Sequence, residues 1–258
     1  MTAELPMTRR DAIADRLAQG QPVAAVALAA EFGVSEDAIR RDLRALAADG
    51  LCRRVYGGAL PLTPGHLPMS ARMKQGQAQK TALAAAAAAT VQRGELLFLD
   101  CGSTNLALAH ALPEDMGLTV ATNAVDIAAA VLRRADIQLI MLGGLVDPVV
   151  GGCVDAAAVQ QLAPLRIDRC FVGVCALSPE GELSTPNYAD AVFKRSLIAA
   201  SRISVGLITT DKIGTGAPFR VAAATDLAQA IVEHDAPAHA IQALTQGGAL
   251  VSKAPAPA

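Results

Sequence analysis

The sequence predicts an α/β protein of two domains, in which a small helical module with a β-hairpin precedes an open, mostly parallel α/β sheet. Residues 35–46 place apolar side chains at helical spacing behind a capping serine, at the end of a series of short helical segments. Later in the chain, short continuous apolar runs alternate with helical stretches, which is typical of parallel strands covered on both faces. The predicted divisions are the module at 1–60, a proline-rich linker at 61–69, the sheet domain at 70–251 and a disordered tail at 252–258.

The first two helices of the module are short and amphipathic. Residues 8–18 open with a capping box, in which Thr8 and Asp11 satisfy free N–H groups of the first turn. Residues 25–32 form the second helix, and Gly33 directly after it supplies a tight turn. The chain therefore enters the third helix through a turn of only a few residues.

The third helix is the most informative segment of the chain. Ser35 caps its N-terminus, and Ile39, Leu43 and Leu46 fall on one face that can pack on a small core. Its arginines point away from that face, and they are Arg40, Arg41 and Arg44. A helix, a glycine turn and a capped helix with outward arginines form a helix-turn-helix, whose second helix enters the major groove of double-stranded DNA.

Positive charge is concentrated on the third helix and on the hairpin that follows it. Residues 51–59 are predicted to form a β-hairpin wing that carries Arg53 and Arg54. Residues 1–60 hold eight arginines and eight acidic residues, whereas residues 38–60 hold five arginines and two aspartates. Paired arginines on a helix commonly contact neighbouring acids on a solvated face, but a complete helix-turn-helix with a wing favours DNA binding. The expected DNA contacts are Ser35, Arg40, Arg41, Arg44, Arg53 and Arg54.

Composition argues against several other classes of protein. Aromatic residues make up only 3% of the chain and tryptophan is absent, which argues against base stacking on single-stranded nucleic acid. The five cysteines are widely spaced and the four histidines show no ligand spacing, so we expect no disulfide, no metal site and no cofactor. The N-terminus lacks a signal-peptide core, and the most apolar segment, residues 82–89, is too short to cross a bilayer. We therefore expect a cytoplasmic protein with no membrane contact.

Five apolar runs predict the parallel strands of the second domain. The runs are 96–99, 118–121, 137–142, 170–175 and 204–209. Helical stretches at 106–112 and 124–132 separate the first three. In an open α/β sheet, ligands bind at the carboxyl ends of the strands. The residues that directly follow each run therefore indicate where a site would lie.

Polar residues and glycines follow the first three runs. They are Asp100, Gly102, Ser103 and Thr104 after the first run, Thr122 and Asn123 after the second, and Gly143 and Gly144 after the third. A glycine and two hydroxyls at a helix N-terminus offer N–H and O–H donors to an anion such as phosphate. Asp100 has the same sign of charge as phosphate, so we expect it to accept hydrogen bonds from sugar hydroxyls. Each polar residue alone could simply cap a helix, but their convergence on adjacent strand ends favours a shared anion site.

Ordered motifs extend from the first helix to the end of the sheet domain. The module contains Phe-Gly-Val-Ser at 32–35, Ile-Arg-Arg-Asp-Leu at 39–43 and Leu-x-Arg-x-Val-x-Gly-Gly-Ala at 51–59. The second domain adds, besides the strand-end motifs, Arg72, Lys80, Asp168-x-x-x-Val172-Gly173, Asp190-x-x-x-Lys194-Arg195 and Asp211-Lys212-x-Gly214. In this order, over residues 8–235, the motifs resemble the DeoR family of bacterial transcriptional regulators.

The resemblance implies a fold and a ligand for the second domain. The fold would be similar to that of ribose-5-phosphate isomerase, glucosamine-6-phosphate deaminase and CoA-transferases, and the ligand would be a phosphorylated sugar or a related metabolite. Lys212 is a weaker candidate than Lys194 for the cationic charge. The effector residues so implied are Ser103 and Thr104 on the phosphate, Asp100 and Asn123 on the polyol, Lys194 as counter-charge, and Gly102, Thr122, Gly143 and Gly144 around them.

The sequence thus predicts a transcriptional regulator, most simply a repressor of a carbohydrate catabolic operon that a phosphorylated sugar or polyol releases from DNA. One winged module covers little DNA surface, so we expect a homo-oligomer, either a dimer or a tetramer. The alternative is a sugar-phosphate isomerase or deaminase with a DNA-binding appendage, in which Asp100 and Lys194 do acid–base work. A DNA-associated structural protein would leave the polar strand ends unexplained.

Overall fold

The chain forms two compact units, Met1–Pro68 and Met69–Ala258. The computed structural model describes residues 9–18, 21–49, 51–60 and 67–257. Thr8, which is predicted to cap the first helix, lies outside the described residues, as do residues 61–66 of the predicted linker and the side chain of Arg53.

The first unit contains three helices and a small antiparallel sheet. Its elements are α1 (Arg9–Ala18), β1 (Val23–Ala24), α2 (Ala25–Phe32), α3 (Glu36–Ala48), β2 (Arg53–Val55) and β3 (Gly58–Leu60). The strands lie in the order β1-β3-β2. The three helices and the β2–β3 hairpin confirm the prediction of a winged helix-turn-helix, and β1 is an additional strand of two residues.

The helix-turn-helix geometry follows from a few local features. Gly33 ends α2 with a φ of 64°, in the left-handed region that glycine adopts most easily. The Ser35 hydroxyl oxygen accepts a hydrogen bond from a backbone N–H of the first turn of α3 at 3.3 Å, so it caps that helix. Ile39, Leu43 and Leu46 are buried, as their spacing predicts. The arginines of α3 are therefore turned away from the core.

Close packing holds the wing against the helices. An added Cβ at Gly58 would lie 2.0 Å from the carbonyl oxygen of Val23, so β1 and β3 can approach each other only with glycine at this position. Ile13 and Ile39 are fully buried in the core beside this small sheet. The wing is thus a fixed part of the first unit.

The second unit is an open parallel sheet with helices and short strands around it. Its helices are α4 (Met69–Arg72), α5 (Gln77–Ala88), α6 (Ser103–Ala111), α7 (Val125–Val131), α8 (Ala156–Leu162), α9 (Tyr188–Ala199) and α10 (Ala238–Gln246). Its strands are β4 (Leu96–Leu99), β5 (Thr119–Thr122), β6 (Gln138–Met141), β7 (Val146–Asp147), β8 (Gly152–Cys153), β9 (Ile167–Val172), β10 (Ala176–Leu177), β11 (Leu183–Thr185), β12 (Ser201–Ile208), β13 (Phe219–Ala222), β14 (Gln229–Val232) and β15 (Leu250–Lys253). Seven strands form the main sheet in the order β15-β14-β12-β9-β4-β5-β6, and every neighbouring pair is parallel.

The core of the second unit lies on both faces of the central strands. Leu97, Phe98 and Leu99 of β4 are fully buried, and the ring of Phe98 lies 5.9 Å from that of Phe193 on α9. Burial on both faces explains why these strands are continuous apolar runs. Because the strands are parallel, the carboxyl ends of β4, β5, β9 and β12 meet at one edge of the sheet. The polar residues after these strands are therefore brought near one another.

The C-terminal strand corrects one prediction. Ser252 and Lys253 belong to β15, which pairs with β14, and the next residue, Ala254, is only 2% exposed. Residues 252–254 are therefore part of the sheet domain and not of a disordered tail. As an edge strand followed by prolines, β15 carries polar residues and lacks the apolar pattern of a central strand.

Candidate functional sites

The outward face of α3 carries three arginines in different surroundings. Arg40 lies 2.8 Å from Glu36 and 3.1 Å from Asp37 on the same helix, and its side chain is 52% exposed. Arg41 and Arg44 are exposed and form no ion pair within the described part of the chain. The pairing with neighbouring acids, which the sequence left open, is thus present for Arg40 and absent for the other two.

The acidic residue beside these arginines is engaged by another helix. Asp42 on α3 lies 2.6 Å from the Nε atom of Arg9 on α1. A hydrogen bond from the Arg9 guanidinium to Asp42 raises the pKa of Arg9 above its ordinary value. Asp42 therefore ties α3 to α1, and its charge is not paired with Arg41.

The wing adds a cation and an exposed aromatic ring. Arg54 on β2 is exposed, and Tyr56 in the hairpin turn is fully exposed. Arg54, Tyr56 and Arg40 line a groove between the wing and α3. A groove bordered by arginines suits the phosphates of a DNA backbone. Sequence reasoning missed Tyr56, although its place at the tip of the predicted hairpin was a usable signal.

In the second unit, the first strand-end motif lies in a tight loop at the carboxyl edge of the sheet. After β4 the chain passes through Asp100, Cys101 and Gly102 and enters α6. This loop touches the residue after β9, where an added Cβ at Gly173 would lie 2.3 Å from the carbonyl oxygen of Cys101. The loop and the N-terminal turn of α6 are therefore held in a fixed place.

Asp100 and Lys194 are brought together by the structure, but inside the protein. The carboxylate of Asp100 accepts hydrogen bonds from the backbone N–H groups of Cys101 and Gly173, each at 2.8 Å. The Nζ atom of Lys194 lies 3.1 Å from Asp100 and also contacts Asp190. All three charged side chains are at most 1% exposed. We call Asp100, Lys194 and Asp190 the buried triad.

In the buried triad Lys194 stabilises the carboxylate of Asp100, whereas the charge of Asp190 disfavours it. Burial raises the pKa of Asp100, and the charge of Lys194 opposes this effect. Burial acts against the charge of Lys194, but Asp100 and Asp190 outweigh it and raise the pKa of the lysine. Neither Asp100 nor Lys194 is among the described residues that line the adjacent cavity. In this structure both side chains therefore lie buried beside the cavity and not in its described lining, and their expected roles toward an effector remain predictions.

The end of β5 carries one capping residue and one residue with a free acceptor. The Thr122 hydroxyl donates to the carbonyl of Leu99 at 2.6 Å and accepts from the N–H of Ala124 at 3.1 Å. The Asn123 amide donates to the carbonyl of Cys153 at 3.0 Å, while its buried Oδ1 atom has no partner in the described structure. Thr122 therefore has the structural role that the sequence allowed. Asn123 is buried and is not among the described residues lining the cavity, and it has one acceptor atom without a partner in the described structure.

The two glycines after β6 lie in a different environment. The backbone of Gly143 exchanges two hydrogen bonds with the side chain of Gln161 on α8. An added Cβ at Gly144 would lie 2.4 Å from Asp155, the residue that caps α8. Neither glycine is among the described residues lining the cavity, because β6 is the edge strand and its end packs on α8.

A small cavity lies between the N-terminal turn of α6 and two cations from distant parts of the chain. Arg72 comes from α4, and Lys212 from the short 3₁₀ turn after β12. No carboxylate lines the cavity among the described residues. The polar and charged lining consists of Arg72, Ser103, Thr104, Asn105 and Lys212, with Gly102 and Gly173 beside them. The cavity is thus rich in hydrogen-bond donors and positive charge.

A third cation near the cavity, Lys80, contacts the end of α4. Its Nζ atom donates to the carbonyl oxygens of Arg72 and Gln75 at 2.5 and 2.6 Å. Burial, and then the positive charge of Lys212, lower the pKa of Lys80 to about 8. Burial also lowers the pKa of Lys212, although the nearby Asp211 opposes this. The pKa of both lysines is therefore lowered mainly by burial, and neighbouring cations add to this effect.

Four buried side-chain atoms in the described structure have no hydrogen-bond partner. They are Arg72 Nε, Thr104 Oγ1, Asn123 Oδ1 and Thr209 Oγ1. Three follow strands of the main sheet at its carboxyl edge, and Arg72 lines the cavity there. A buried polar atom without a partner costs about 1–3 kcal/mol, so such atoms are normally satisfied by water or by a ligand. Their clustering makes this edge of the sheet the candidate binding site.

The cysteines and other candidate metal ligands among the described residues form no cluster. All five cysteines are free, and burial raises the pKa of Cys101 well above its ordinary value, which makes the thiol unreactive. Within the described ranges, no group of three His, Cys, Asp or Glu side chains could hold a metal ion. No helix in those ranges is long and apolar enough to cross a bilayer.

Comparison with known proteins gives two family matches and relatives along nearly the full length. The profile of the DeoR-like helix-turn-helix domain matches residues 9–64, and that of the DeoR C-terminal sensor domain matches residues 75–234. The chain is 34% identical over 245 residues to an uncharacterized HTH-type transcriptional regulator, YgbI, of Escherichia coli (strain K12), covering 94% of this chain and 95% of the relative. It is 28% identical over 238 residues to the glycerol-3-phosphate regulon repressor of the same organism, covering 92% and 94%.

Solved structures add only a distant similarity. Ribose 5-phosphate isomerase A from Neisseria gonorrhoeae aligns over 54% of each chain with a TM-score of 0.38 and 14% identity, which is too low to bear on activity. The full-length relatives are named as regulators of transcription and not as enzymes. The enzyme alternative is therefore not supported, and the buried triad offers it no accessible acid–base pair. The chain belongs to the DeoR family of transcriptional regulators.

Proposed function

We propose that this regulator represses a carbohydrate catabolic operon and leaves its DNA when a phosphorylated sugar or polyol binds. It acts in the cytoplasm as a homo-oligomer, a dimer or a tetramer. The observation that carries the proposal is the convergence of two cations, Arg72 and Lys212, and of unpartnered polar atoms on the cavity at the N-terminal turn of α6. One relative is named the glycerol-3-phosphate regulon repressor and another the L-fucose operon activator, and these names refer to a phosphorylated polyol and to a sugar.

The phosphate of the effector belongs at the N-terminal turn of α6. Free backbone N–H groups and the positive end of the helix dipole favour an anion there. Ser103 and the unpartnered hydroxyl of Thr104 can donate to phosphate oxygens. Arg72 and Lys212 supply the cationic charge that the sequence assigned to Lys194. A phosphate dianion would favour the charged form of these lysines and so oppose the effect of burial, which lowers their pKa.

The polyol belongs beside Asn123. An added Cβ at Gly152 would lie 2.3 Å from the sulfur of Cys101 and 2.4 Å from the carbonyl oxygen of Asn123, so Asn123 is next to a residue that lines the cavity. The free Oδ1 atom of Asn123 is an acceptor and needs a hydroxyl or an N–H group as its partner. Inorganic phosphate alone would leave this atom unsatisfied, whereas a phosphorylated polyol satisfies both halves of the site.

The operator is bound through α3 and the wing. Arg41, Arg44 and Arg54 are exposed and available for phosphates or base edges, and Arg40 joins them after giving up its partners on α3. Arg53 remains an expected contact from the sequence. A module of this size buries only about 600–1,000 Å² on DNA, whereas specific operators are bound at about 10⁻⁸–10⁻¹¹ M. Two or more modules on related half-sites provide the missing affinity.

Thermal shift and operator release with matched pairs of ligands test the effector half. Phosphorylated sugars and polyols should raise the melting temperature and release a DNA duplex selected by the wild-type protein, and their unphosphorylated parents should do neither. Lys212→Met and Thr104→Val should weaken the response at least tenfold without changing operator affinity. Lys74→Met is the control, because Lys74 is exposed and outside the cavity. Parent sugars that act as well as their phosphates would refute the phosphate site.

A further inference from the structure

Helix α4, the first element of the second unit, is clamped onto the turn between β7 and β8. The N–H of Met69 donates to the carbonyl of Val149 at 3.1 Å. The Nη2 atom of Arg72 donates to the carbonyls of Val149 and Val150 at 3.1 and 3.0 Å. The side chain of Met69 is 3% exposed, and an added Cβ at Gly151 would lie 2.7 Å from its Cγ atom. Both ends of this short helix are therefore held by the same turn.

The turn is anchored independently of α4. The carboxylate of Asp147 accepts hydrogen bonds from the N–H groups of Val149 and Val150 at 2.8 and 3.1 Å. Its second oxygen accepts from the side chain of Asn187, the N-cap residue of α9, at 2.9 Å. Loss of the bonds from Arg72 would therefore release α4 while the turn stays in place.

Arg72 faces the turn and the cavity at the same time. Its Nη2 atom holds the two carbonyls, whereas its buried Nε atom has no partner in the described structure. The same side chain lines the cavity together with Lys212. A pair of guanidinium and phosphate joins two ionised groups and is frequently bidentate, whereas the carbonyls bring no charge to their bonds with Arg72. An anion in the cavity thus competes with neutral carbonyls for this guanidinium.

We propose that α4 couples the effector cavity to DNA binding through Arg72. When the phosphate group of an effector binds, the guanidinium of Arg72 exchanges its hydrogen bonds to the carbonyls of Val149 and Val150 for hydrogen bonds to the anion. Helix α4 is then released from the turn. Since α4 starts at the first residue of the second unit, its displacement moves the chain that leads to the DNA-binding unit. This inference rests on the proposed function, because it assumes that an anionic effector occupies the cavity.

The proposed mechanism satisfies thermodynamic linkage between effector binding and operator binding. A ligand changes operator affinity only if it binds two conformations of the protein with different affinity. The clamped state keeps Arg72 on the carbonyls and binds operator, and the released state offers Arg72 to the ligand. A change that releases α4 without touching the cavity should therefore imitate the effector.

Gly151→Ala is such a change. The new Cβ would collide with Met69, and Gly151 is not among the described residues that line the cavity. The matched control is Gly117→Ala, because Gly117 also has a positive φ, 62° against 89°, but an added Cβ there meets no atom within 4 Å. Both variants carry the same kind of backbone strain, and only the first displaces α4.

Without effector, Gly151→Ala should bind the selected operator duplex about tenfold more weakly than wild type, within the usual range of allosteric coupling. Its affinity for the best sugar phosphate of the thermal-shift screen should be equal to wild type or higher. Gly117→Ala should match wild type in both measurements. Arg72→Met, which keeps an unbranched side chain but has no donor for the two carbonyls, should likewise weaken operator binding and reduce the further release by effector.

Two experimental outcomes distinguish a failure of the proposed coupling from a failure of the proposed function. If Gly151→Ala folds, binds operator as wild type does and is released normally, the clamp is wrong even though the effector site stands. If no sugar phosphate binds wild type, the effector proposal fails, while the effector-free operator measurement still decides whether α4 controls DNA binding. Should Gly151→Ala not fold, Met69→Ala removes the same contact without a clash, and unchanged operator affinity in that variant refutes the clamp.

Discussion

Replacing Lys194 with methionine decides whether this lysine supports the wall of the site or binds the effector. Its ammonium group lies between Asp100 and Asp190, and all three side chains are at most 1% exposed. Lys194→Met keeps the length of the side chain but leaves two buried carboxylates without a cation. Breaking a buried ion pair in this way costs about 3–5 kcal/mol. In a domain of this size, about 2–4 °C is lost for each kcal/mol, so the melting temperature should fall by roughly 10 °C.

The loss of stability should depend on pH with a defined sign. Burial already raises the pKa of Asp100 while Lys194 opposes it, so removal of the ammonium raises that pKa further. A carboxyl group whose pKa is higher in the folded than in the unfolded state binds its proton more tightly when folded. Its contribution to stability is therefore lost as pH rises through the folded pKa. The gap between variant and wild type should be smaller at about pH 5 than at about pH 8.

Thermal melts across that pH range, followed by circular dichroism, measure the effect. Lys74→Met is the control for loss of a lysine charge, since an exposed substitution changes stability by about 0.5 kcal/mol or less. Adding Asp190→Asn to Lys194→Met removes one of the two uncompensated charges and should recover part of the loss. A Lys194→Met protein as stable as wild type but unresponsive to sugar phosphates would refute the reasoning, and would return Lys194 to the ligand.

Three further outcomes are expected. Arg41→Ala should weaken operator binding in a gel-shift assay more than Arg40→Ala, since Arg40 must first leave two carboxylates on its own helix, and equal losses would contradict this. A bound phosphate should raise the pKa of Lys80 from about 8, so effector affinity should fall as pH rises above that value. Calorimetry in buffers of different ionisation enthalpy should then show proton uptake, and its absence would count against the cation cluster. Gly58→Ala, whose Cβ would lie 2.0 Å from the Val23 carbonyl oxygen, should abolish operator binding while effector binding to the second unit persists, and retained operator binding would show that this close approach is dispensable.

The first unit could be predicted in detail because its signals are local. Ser35 caps α3, Gly33 has the left-handed conformation that a tight turn requires, and the buried face of α3 follows from apolar spacing. The two-residue strand β1 escaped prediction because so short a segment has no periodicity of its own. Its existence depends on Gly58, a residue far along the chain whose missing side chain allows the approach.

Charged residues inside the second unit limited what its sequence could show. β9 starts at Ile167, three residues before the apolar run at 170–175 that predicted it. Asp168 and Arg169 separate Ile167 from that run, yet Arg169 is buried and lies 3.0 Å from the buried Glu95. The spacing of Asp190 and Lys194 indicates a contact on one helix face, but their full burial depends on neighbouring strands. The family resemblance assigned Lys194 to the ligand, and nothing in the sequence indicated that its charge is paired with two buried carboxylates in the fold.

The cations that face the cavity were harder to predict from sequence, because they come from distant parts of the chain. Arg72 precedes the first strand of the sheet and Lys212 follows β12, so only the folded chain brings them to the first turn of α6. If Lys194 alone held the phosphate, the ligand would contact only a buried side chain of the second unit. Its binding would then displace no element next to the DNA-binding unit along the chain. A phosphate held by Arg72 acts on the first helix after that unit. By linkage, the factor by which effector weakens operator binding must then equal the factor by which operator weakens effector binding. A variant of Arg72 should reduce both of these factors by the same amount. A variant of Lys212 should weaken effector binding, but the two factors should remain equal to each other and as large as in wild type.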